Sequence, residues 1–152
     1  MIYVINYDNG KRRNLYAKLD ALRQPFEIGT NEVLALKADK IILPDTNNPF
    51  RALRRLHMMN LHSALRMYPR PLLGIGAGFL LMLKSCNAKP CFSFFPYDAK
   101  YSEEDDDWKI YDESGNEIGD NYFVNGKYFG VKSKNDKEIN QAIIDFVNCE
   151  QE

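Results

Sequence analysis

Three glycines stand at alternate positions in the stretch RPLLGIGAGFLLMLK, residues 70–84, between an apolar run and a segment with helical character. We call residues 74–78 the glycine turn. Phosphate-binding loops also use glycines, but G-x-G-x-G lacks the third glycine of the dinucleotide fingerprint and the lysine of a P-loop. A nucleophile-bearing turn has the form G-x-Nuc-x-G, with its central residue in a strained conformation. This pattern fits better, and it places Gly76, which has no side chain, at the nucleophile position.

Other residue types that could do chemistry form weaker patterns. The cysteines are odd in number and lack metal-ligand spacing, which predicts free thiols in a reducing compartment; they are Cys86, Cys91 and Cys149. His57 and His62 are five residues apart on a predicted helix, about 140° around its axis, so they do not form a metal-gripping i, i+4 pair. The acidic run at 103–107 predicts a solvated loop, with a weak cation site as the alternative.

Alternating strands and helices must position these residues in the first 85 positions. Apolar patterns predict strands at 2–7, 25–29, 39–44 and 71–75, and helices at 11–23, 31–37 with Thr30 as cap, 50–68 and 77–85. Continuous apolar strands separated by helices indicate a parallel sheet covered on both faces. The predicted fold is therefore α/β and three-layered, a mainly parallel central sheet flanked by helices, as in flavodoxin-like proteins.

After Pro90 the pattern changes to short strands with turn signals. We expect strands at 91–95 and 108–112, a turn at Ser114-Gly115, and a hairpin of 121–124 with 127–133 through Asn125-Gly126. A last helix is expected at about 136–148. The whole chain, 1–152, is interpreted as one domain with C-terminal β-hairpins.

Composition excludes several classes of function. The chain has 152 residues, 45% of them hydrophobic, and 20 basic residues against 21 acidic ones. A nearly neutral chain has no global field to attract nucleic acid or an anionic membrane. The sequence opens on a strand-like run without a leader pattern, so we expect a cytoplasmic protein, and no residue pattern predicts a metal or a cofactor.

Four segments, in order along the chain, carry a resemblance to a known family. Residues 6–10 stand where that family has D-Y-G-x-G, and residues 38–45 where it has A-D-K-hydrophobic-L-P-G. Residues 71–80 match P-L-L-G-I-C-x-G-x-Q, and residues 130–136 align with G-V-Q-F-H-P-E. The chain resembles a class I glutamine amidotransferase, most similar to the glutaminase subunit of imidazole glycerol phosphate synthase in histidine biosynthesis.

The resemblance implies a catalytic triad whose residues are replaced. Where the family has its nucleophilic cysteine, its histidine and its glutamate, this chain has Gly76, Lys134 and Asp136. Without the cysteine no thioester can form with glutamine. The family's glycines after L-P, which shape the oxyanion hole, correspond to Asp45 and its neighbours, and the pocket glutamine to Leu80.

The start of the helix at 77–85 suggests one site that does not need a nucleophile. Backbone N–H groups at Gly76, Ala77 and Gly78 could bind an anion, together with the segment Asp45, Thr46 and Asn47, although Asp45 would oppose an anion if it faced them.

Three functions follow, in order of preference. The first is a catalytically inactive amidotransferase-like protein that binds, scaffolds or regulates a synthase or cyclase subunit. The second is a domain that binds a small anion or carboxylate at the glycine turn. The third is an enzyme with new chemistry that uses Lys134, Asp136 or Asp45.

Overall fold

The computed structural model describes residues 1–8, 10, 12–124 and 127–132. Its first half alternates strands and helices: β1 (Ile2–Ile5), α1 (Arg13–Ala21), β2 (Phe26–Gly29), α2 (Glu32–Lys37), β3 (Lys40–Leu43), α3 (Pro49–Met58), α4 (Leu61–Met67), β4 (Leu72–Ile75) and α5 (Ala77–Leu80). Its second half is mostly strand: β5 (Leu83–Cys86), β6 (Lys89–Pro90), β7 (Phe95–Ser102), β8 (Asp107–Tyr111), a 3₁₀ turn (Gly119–Tyr122), β9 (Phe123–Val124) and β10 (Lys127–Lys132).

A six-stranded sheet forms the centre of the molecule, in the order β2-β1-β3-β4-β10-β9. The pairs β1–β2, β1–β3 and β3–β4 are parallel, whereas β10 runs antiparallel to β4 and to β9. An order that runs outward in both directions from β1 and β3 is the flavodoxin-like arrangement. The predicted α/β fold with a mainly parallel sheet is confirmed.

Both faces of the inner strands β1, β3 and β4 are buried. Val4, Ile42 and Ile75 pack with Leu15 and Leu19 of α1 on one face. On the other face the alternate strand residues pack with α2, α3 and α4; they include Tyr3, Ile5, Ile41, Leu43 and Leu72. Side chains that alternate between two buried faces explain why these strands are apolar throughout.

A second sheet, in the order β6-β5-β7-β8, replaces part of the predicted pattern. The predicted helix 77–85 is wrong beyond its first turn, because α5 ends at Leu80 and the chain re-enters a strand at Leu83. The apolar run from Phe79 to Leu83 suits either structure, and pairing of β5 with β7 selects the strand. The predicted strand 91–95 is also wrong, since regular structure resumes only at β7.

Two helix details differ from the sequence predictions. The single helix expected over 50–68 is two helices, because Asn60 has the left-handed dihedrals φ 58° and ψ 20° between α3 and α4. Helix α2 is capped by Asn31, whose Oδ1 accepts a hydrogen bond from the Leu34 N–H at 3.1 Å, and not by Thr30. Asparagine tolerates the left-handed region and caps helices well, so both roles suit its side chain.

Several predictions fall outside the described residues. They are the turn at Asn125-Gly126, the helix at 136–148, and the positions of Lys134, Asp136 and Cys149. The strands that flank Asn125-Gly126 pair as expected, with Lys127 opposite Val124 and Tyr128 opposite Phe123. Across the described ranges, none of the helices has the length and apolar character needed to cross a membrane.

Candidate functional site

The glycine turn spans the end of β4 and the start of α5, at the carboxyl end of the central sheet. Gly76 has φ 56° and ψ −126°, a backbone conformation that residues other than glycine rarely adopt. Its N–H donates to the Tyr128 carbonyl of β10 at 2.7 Å, and its carbonyl accepts from the Phe79 N–H at 3.1 Å. The backbone at the apex is therefore fixed by hydrogen bonds to a neighbouring strand and to the following turn.

The Asp45 carboxylate occupies the space directly in front of this apex. Asp45 Oδ1 accepts hydrogen bonds from the N–H groups of Ala77 and Thr46, each at 2.9 Å. A Cβ built on Gly76 would lie 2.5 Å from Asp45 Cγ, closer than atoms of that kind approach. The side chain of Asp45 thus fills the volume that the side chain of a nucleophile would need.

A lysine of β10 faces the same carboxylate. Lys127 Nζ lies 3.8 Å from Asp45 Oδ2, with both side chains about half exposed. An exposed pair at this distance contributes little to stability, about 0–1 kcal/mol. Its effect is to balance the charge of Asp45 from the solvent side, while the Ala77 N–H binds it from the turn.

Close packing also fixes Gly78. A Cβ there would lie 2.6 Å from the Pro44 carbonyl oxygen, so α5 can approach the end of β3 only because residue 78 has no side chain. This approach brings the segment that starts at Asp45 onto the glycine turn.

The structure therefore brings together four of the six residues predicted to bind a ligand, Asp45, Thr46, Gly76 and Ala77. Gly78 packs against the end of β3, whereas Asn47 lines a neighbouring groove. The N–H groups of Gly76 and Ala77 bind Tyr128 and Asp45. An external anion at this turn would have to displace the Asp45 carboxylate.

The loop after β1 contains a buried ion pair that sequence reasoning missed. Arg12 donates to the Asp8 carboxylate and, at 3.1 Å, to Asn6 Oδ1, and the side chains of Arg12 and Asp8 are 5% and 17% exposed. Burial raises the pKa of Asp8, but hydrogen bonds from Thr46 and Gly10 and the charge of Arg12 outweigh it and hold the pKa below its ordinary value. Asp8 is therefore an anion that organises this loop.

Tyr7, next to Asp8, joins the loop to the end of β3. It is fully buried, and its hydroxyl donates to the Pro44 carbonyl. Burial raises the pKa of Tyr7 well above its ordinary value, so the hydroxyl remains a donor at neutral pH.

A polar groove of about 300 Å³ opens where the order of the parallel strands reverses, at the carboxyl ends of β1 and β3. Its walls come from both strand ends and from α3; they are Asp8, Gly10, Thr46, Asn47, Asn48, Arg51 and Arg55. Within the described part of the chain, no carboxylate forms an ion pair with Arg51 or Arg55. Sequence reasoning missed this groove, although the reversal of strand order in α/β folds marks where such crevices form.

The remaining candidates are placed as follows. The rings of His57 and His62 stack with centroids 4.0 Å apart, because the break at Asn60 turns α4 back toward α3; the expected divergence around one helix is wrong. Cys86 ends β5 and does not lie at the end of a helix. Cys86 and Cys91 are free thiols, as predicted. Among the described residues, including the acidic run at 103–107, no three His, Cys, Asp or Glu side chains are placed to hold a metal ion.

Comparisons with known proteins agree with the family resemblance. No family model matches the chain. The chain is 31% identical over 90 residues to the imidazole glycerol phosphate synthase subunit HisH of Listeria welshimeri, a match that covers 57% of this chain and 43% of the relative. The subunit HisH of Listeria innocua is 31% identical over 88 residues (56% and 42%), and that of Listeria monocytogenes 29% over 90 residues (57% and 43%). The chain matches less than half of the length of these curated relatives. This partial similarity supports the resemblance to class I glutamine amidotransferases.

Proposed function

We propose that this chain is a catalytically inactive, glutamine amidotransferase-like protein that acts by binding a synthase subunit. The observation that carries the proposal is the position of the Asp45 carboxylate, which accepts the Ala77 N–H and fills the volume beside Gly76. An apex without a side chain offers no nucleophile, and a side chain there would require the carboxylate to move. The proposed loss of glutaminase activity therefore involves both Gly76, which has no side chain, and Asp45, whose carboxylate occupies the space beside it.

The relatives support the binding half of the proposal. Each is by name a subunit of a synthase, and this chain is similar to less than half of its length. A chain that keeps the sheet and the strand-end loops of such a subunit can keep a docking surface without the chemistry, because fold and function are separable.

The polar groove is the surface we assign to the partner. Arg51 and Arg55 are exposed on consecutive turns of α3 and face the groove together. Guanidinium groups bind carboxylates through two parallel hydrogen bonds, so a partner that presents acidic side chains fits this surface.

A quantitative co-purification tests the proposal. The tagged chain is recovered from its native cells after mild cross-linking, and the bound proteins are identified and their molar ratio measured. We expect one synthase or cyclase subunit at a ratio near one to one. Arg51→Glu and Arg55→Glu should each release most of it, whereas Arg54→Glu, which makes the same change of charge on α3 outside the groove, should retain most of it.

Recovery of the chain alone at its native concentration would contradict the proposal. Equal loss of the partner in the Arg54→Glu control would instead show that the general charge of α3, and not the groove, determines binding.

The two other functions have less support. Ligand binding at the glycine turn requires displacement of Asp45 from the Ala77 N–H, since that carboxylate already takes the place of an anion. New chemistry through Asp45 would need a carboxylate that already accepts the Ala77 N–H and faces Lys127 to act on a substrate as well.

A further inference from the structure

Two buried cysteines lie together on the β5–β6 hairpin, away from the glycine turn. Cys86 is the last residue of β5 and Cys91 directly follows β6; they are 1% and 5% exposed. The turn between the strands, Asn87 and Ala88, has φ of 49° and 65°, as in the tight turns that suit hairpins.

The pairing of the hairpin puts both side chains on one face. Cys86 is opposite Lys89, and the Cys91 N–H donates to the Lys84 carbonyl at 3.1 Å. Cross-strand partners share a face, and so do residues two apart along a strand, so Cys91 lies diagonally next to Cys86.

The thiols form a chain of hydrogen bonds. The side chains of Cys86 and Cys91 are hydrogen-bond partners, and Cys91 Sγ donates to the Lys89 carbonyl at 3.6 Å. The hydrogen bond with Cys91, followed by burial, raises the pKa of Cys86, whereas the hydrogen bond from Cys86 lowers the pKa of Cys91. Cys91 is also the more exposed of the two residues, 5% against 1%, so its sulfur is the one that an oxidant from solution reaches first.

We propose that Cys86 and Cys91 are a site of reversible disulfide formation, oxidised by a small hydroperoxide. The Cys91 thiolate attacks one oxygen of hydrogen peroxide, breaks the O–O bond and becomes a sulfenic acid, while the released hydroxide takes up a proton. The sulfur of Cys86 then attacks the sulfur of Cys91, loses its proton, and expels the sulfenic oxygen as water. In total, two thiols and one peroxide give one disulfide and two waters.

The surroundings of the pair limit the oxidant to small molecules. Both residues belong to the main core, and Phe92, next to Cys91, stacks on the His62 ring at a centroid distance of 4.7 Å. Because the two residues are only 1% and 5% exposed, a bulky disulfide would require the whole hairpin to open, whereas a molecule as small as hydrogen peroxide requires only a local opening beside Cys91.

Peptide mapping of the intact chain tests the site. The Cys149→Ser variant removes the third cysteine. It is treated with hydrogen peroxide, denatured with N-ethylmaleimide present, and digested with trypsin. Trypsin does not cleave before proline, so Cys86 and Cys91 stay on one peptide, residues 85–100. We expect this peptide to lose the mass of two hydrogens and to carry no maleimide, and we expect dithiothreitol to reverse both changes.

Single variants identify the order of the steps. In Cys86→Ser combined with Cys149→Ser, the sulfenic acid on Cys91 should persist and react with dimedone, because no second thiol remains in the chain to resolve it. In Cys91→Ser, Cys86 should remain a thiol. Maleimide on both cysteines of the peroxide-treated peptide would overturn the proposal, as would dimedone labelling of Cys86 in place of Cys91.

Discussion

Asp45 Oδ1 accepts the backbone N–H of Ala77 at 2.9 Å, which ties the segment after β3 to the glycine turn. The two residues are 32 positions apart in sequence, and the same carboxylate lies where a side chain on Gly76 would begin. Asp45 and Gly76 therefore depend on each other: the carboxylate fits because the apex is glycine, and a side chain at the apex requires the carboxylate to move.

This dependence predicts that substitutions at the two positions are not additive. Gly76→Cys should lower the free energy of unfolding by about 2–3 kcal/mol, because it adds backbone strain at positive φ and displaces Asp45. In the Asp45→Gly background the same change should be milder, with a coupling energy of about 1 kcal/mol. Urea denaturation of the four proteins measures it.

Gly115 provides the matched control, because it also has a positive φ, of 85°, but has nothing within 4 Å of an added Cβ. Gly115→Cys should show the strain alone and no coupling to Asp45→Gly. If Gly76→Cys and Asp45→Gly are additive, the two residues do not share one space.

The ion pair after β1 predicts a large effect of a single carboxylate. Asp8→Ala leaves the buried Arg12 guanidinium without its counter-ion and should destabilise the chain by about 3 kcal/mol. Asp20→Ala, an exposed change in α1, should stay within about 0.5 kcal/mol. Since the pKa of Asp8 is lowered, its contribution is present above about pH 4 and is lost as the pH falls through the folded-state value. Thermal melts at pH 7 that do not separate the two variants would contradict this role.

The histidine stack predicts a dependence of stability on pH in a different range. Burial, followed by the nearby His57 and Arg66, lowers the pKa of His62 from 6.5 to about 4. Between these values the unfolded chain binds more protons than the folded chain, so stability decreases as the pH falls from 6.5 toward 4. His62→Gln should flatten this part of the profile of melting temperature against pH. If the slope is unchanged in the variant, titratable groups other than His62 cause this pH dependence.

The break between α3 and α4 predicts different effects of two small residues at position 60. Asn60 has a left-handed backbone, so Asn60→Ala should destabilise the chain by about 1 kcal/mol, whereas Asn60→Gly should be nearly neutral. The midpoint of chemical denaturation distinguishes the two. Equal midpoints would mean that the helix break tolerates an ordinary backbone at this residue.

The sequence was informative where apolar patterns and sheet geometry agree. Runs such as IYVI and IIL are apolar on both faces, and such strands occur in parallel sheets covered on both sides, which predicted the central sheet. The sequence also marked the apex glycine, because Gly76 follows an apolar strand pattern and is the middle one of three glycines at alternate positions.

Non-local contacts explain what the sequence did not predict. The run from Phe79 to Leu83 fits a helix by composition, and only the pairing with β7, more than ten residues away, makes its end a strand. The groove at Arg51 and Arg55 depends on two strand ends that meet in space. The sequence predicted that Asp45 would oppose an anion if it faced the turn. It did not predict the hydrogen bond from the Ala77 N–H to Asp45, which depends on the close approach of Gly78 to the end of β3.

Ammonia release from glutamine tests the central claim most directly. The purified chain is incubated with glutamine, alone and with the partner recovered by co-purification, and ammonia is measured against a heat-denatured control. We predict no release above the control in either sample, because Gly76 supplies no nucleophile and Asp45 fills its place. Release above the control from the chain alone would contradict the account, and its loss on substitution of Asp45 would make this chain an enzyme that uses that carboxylate.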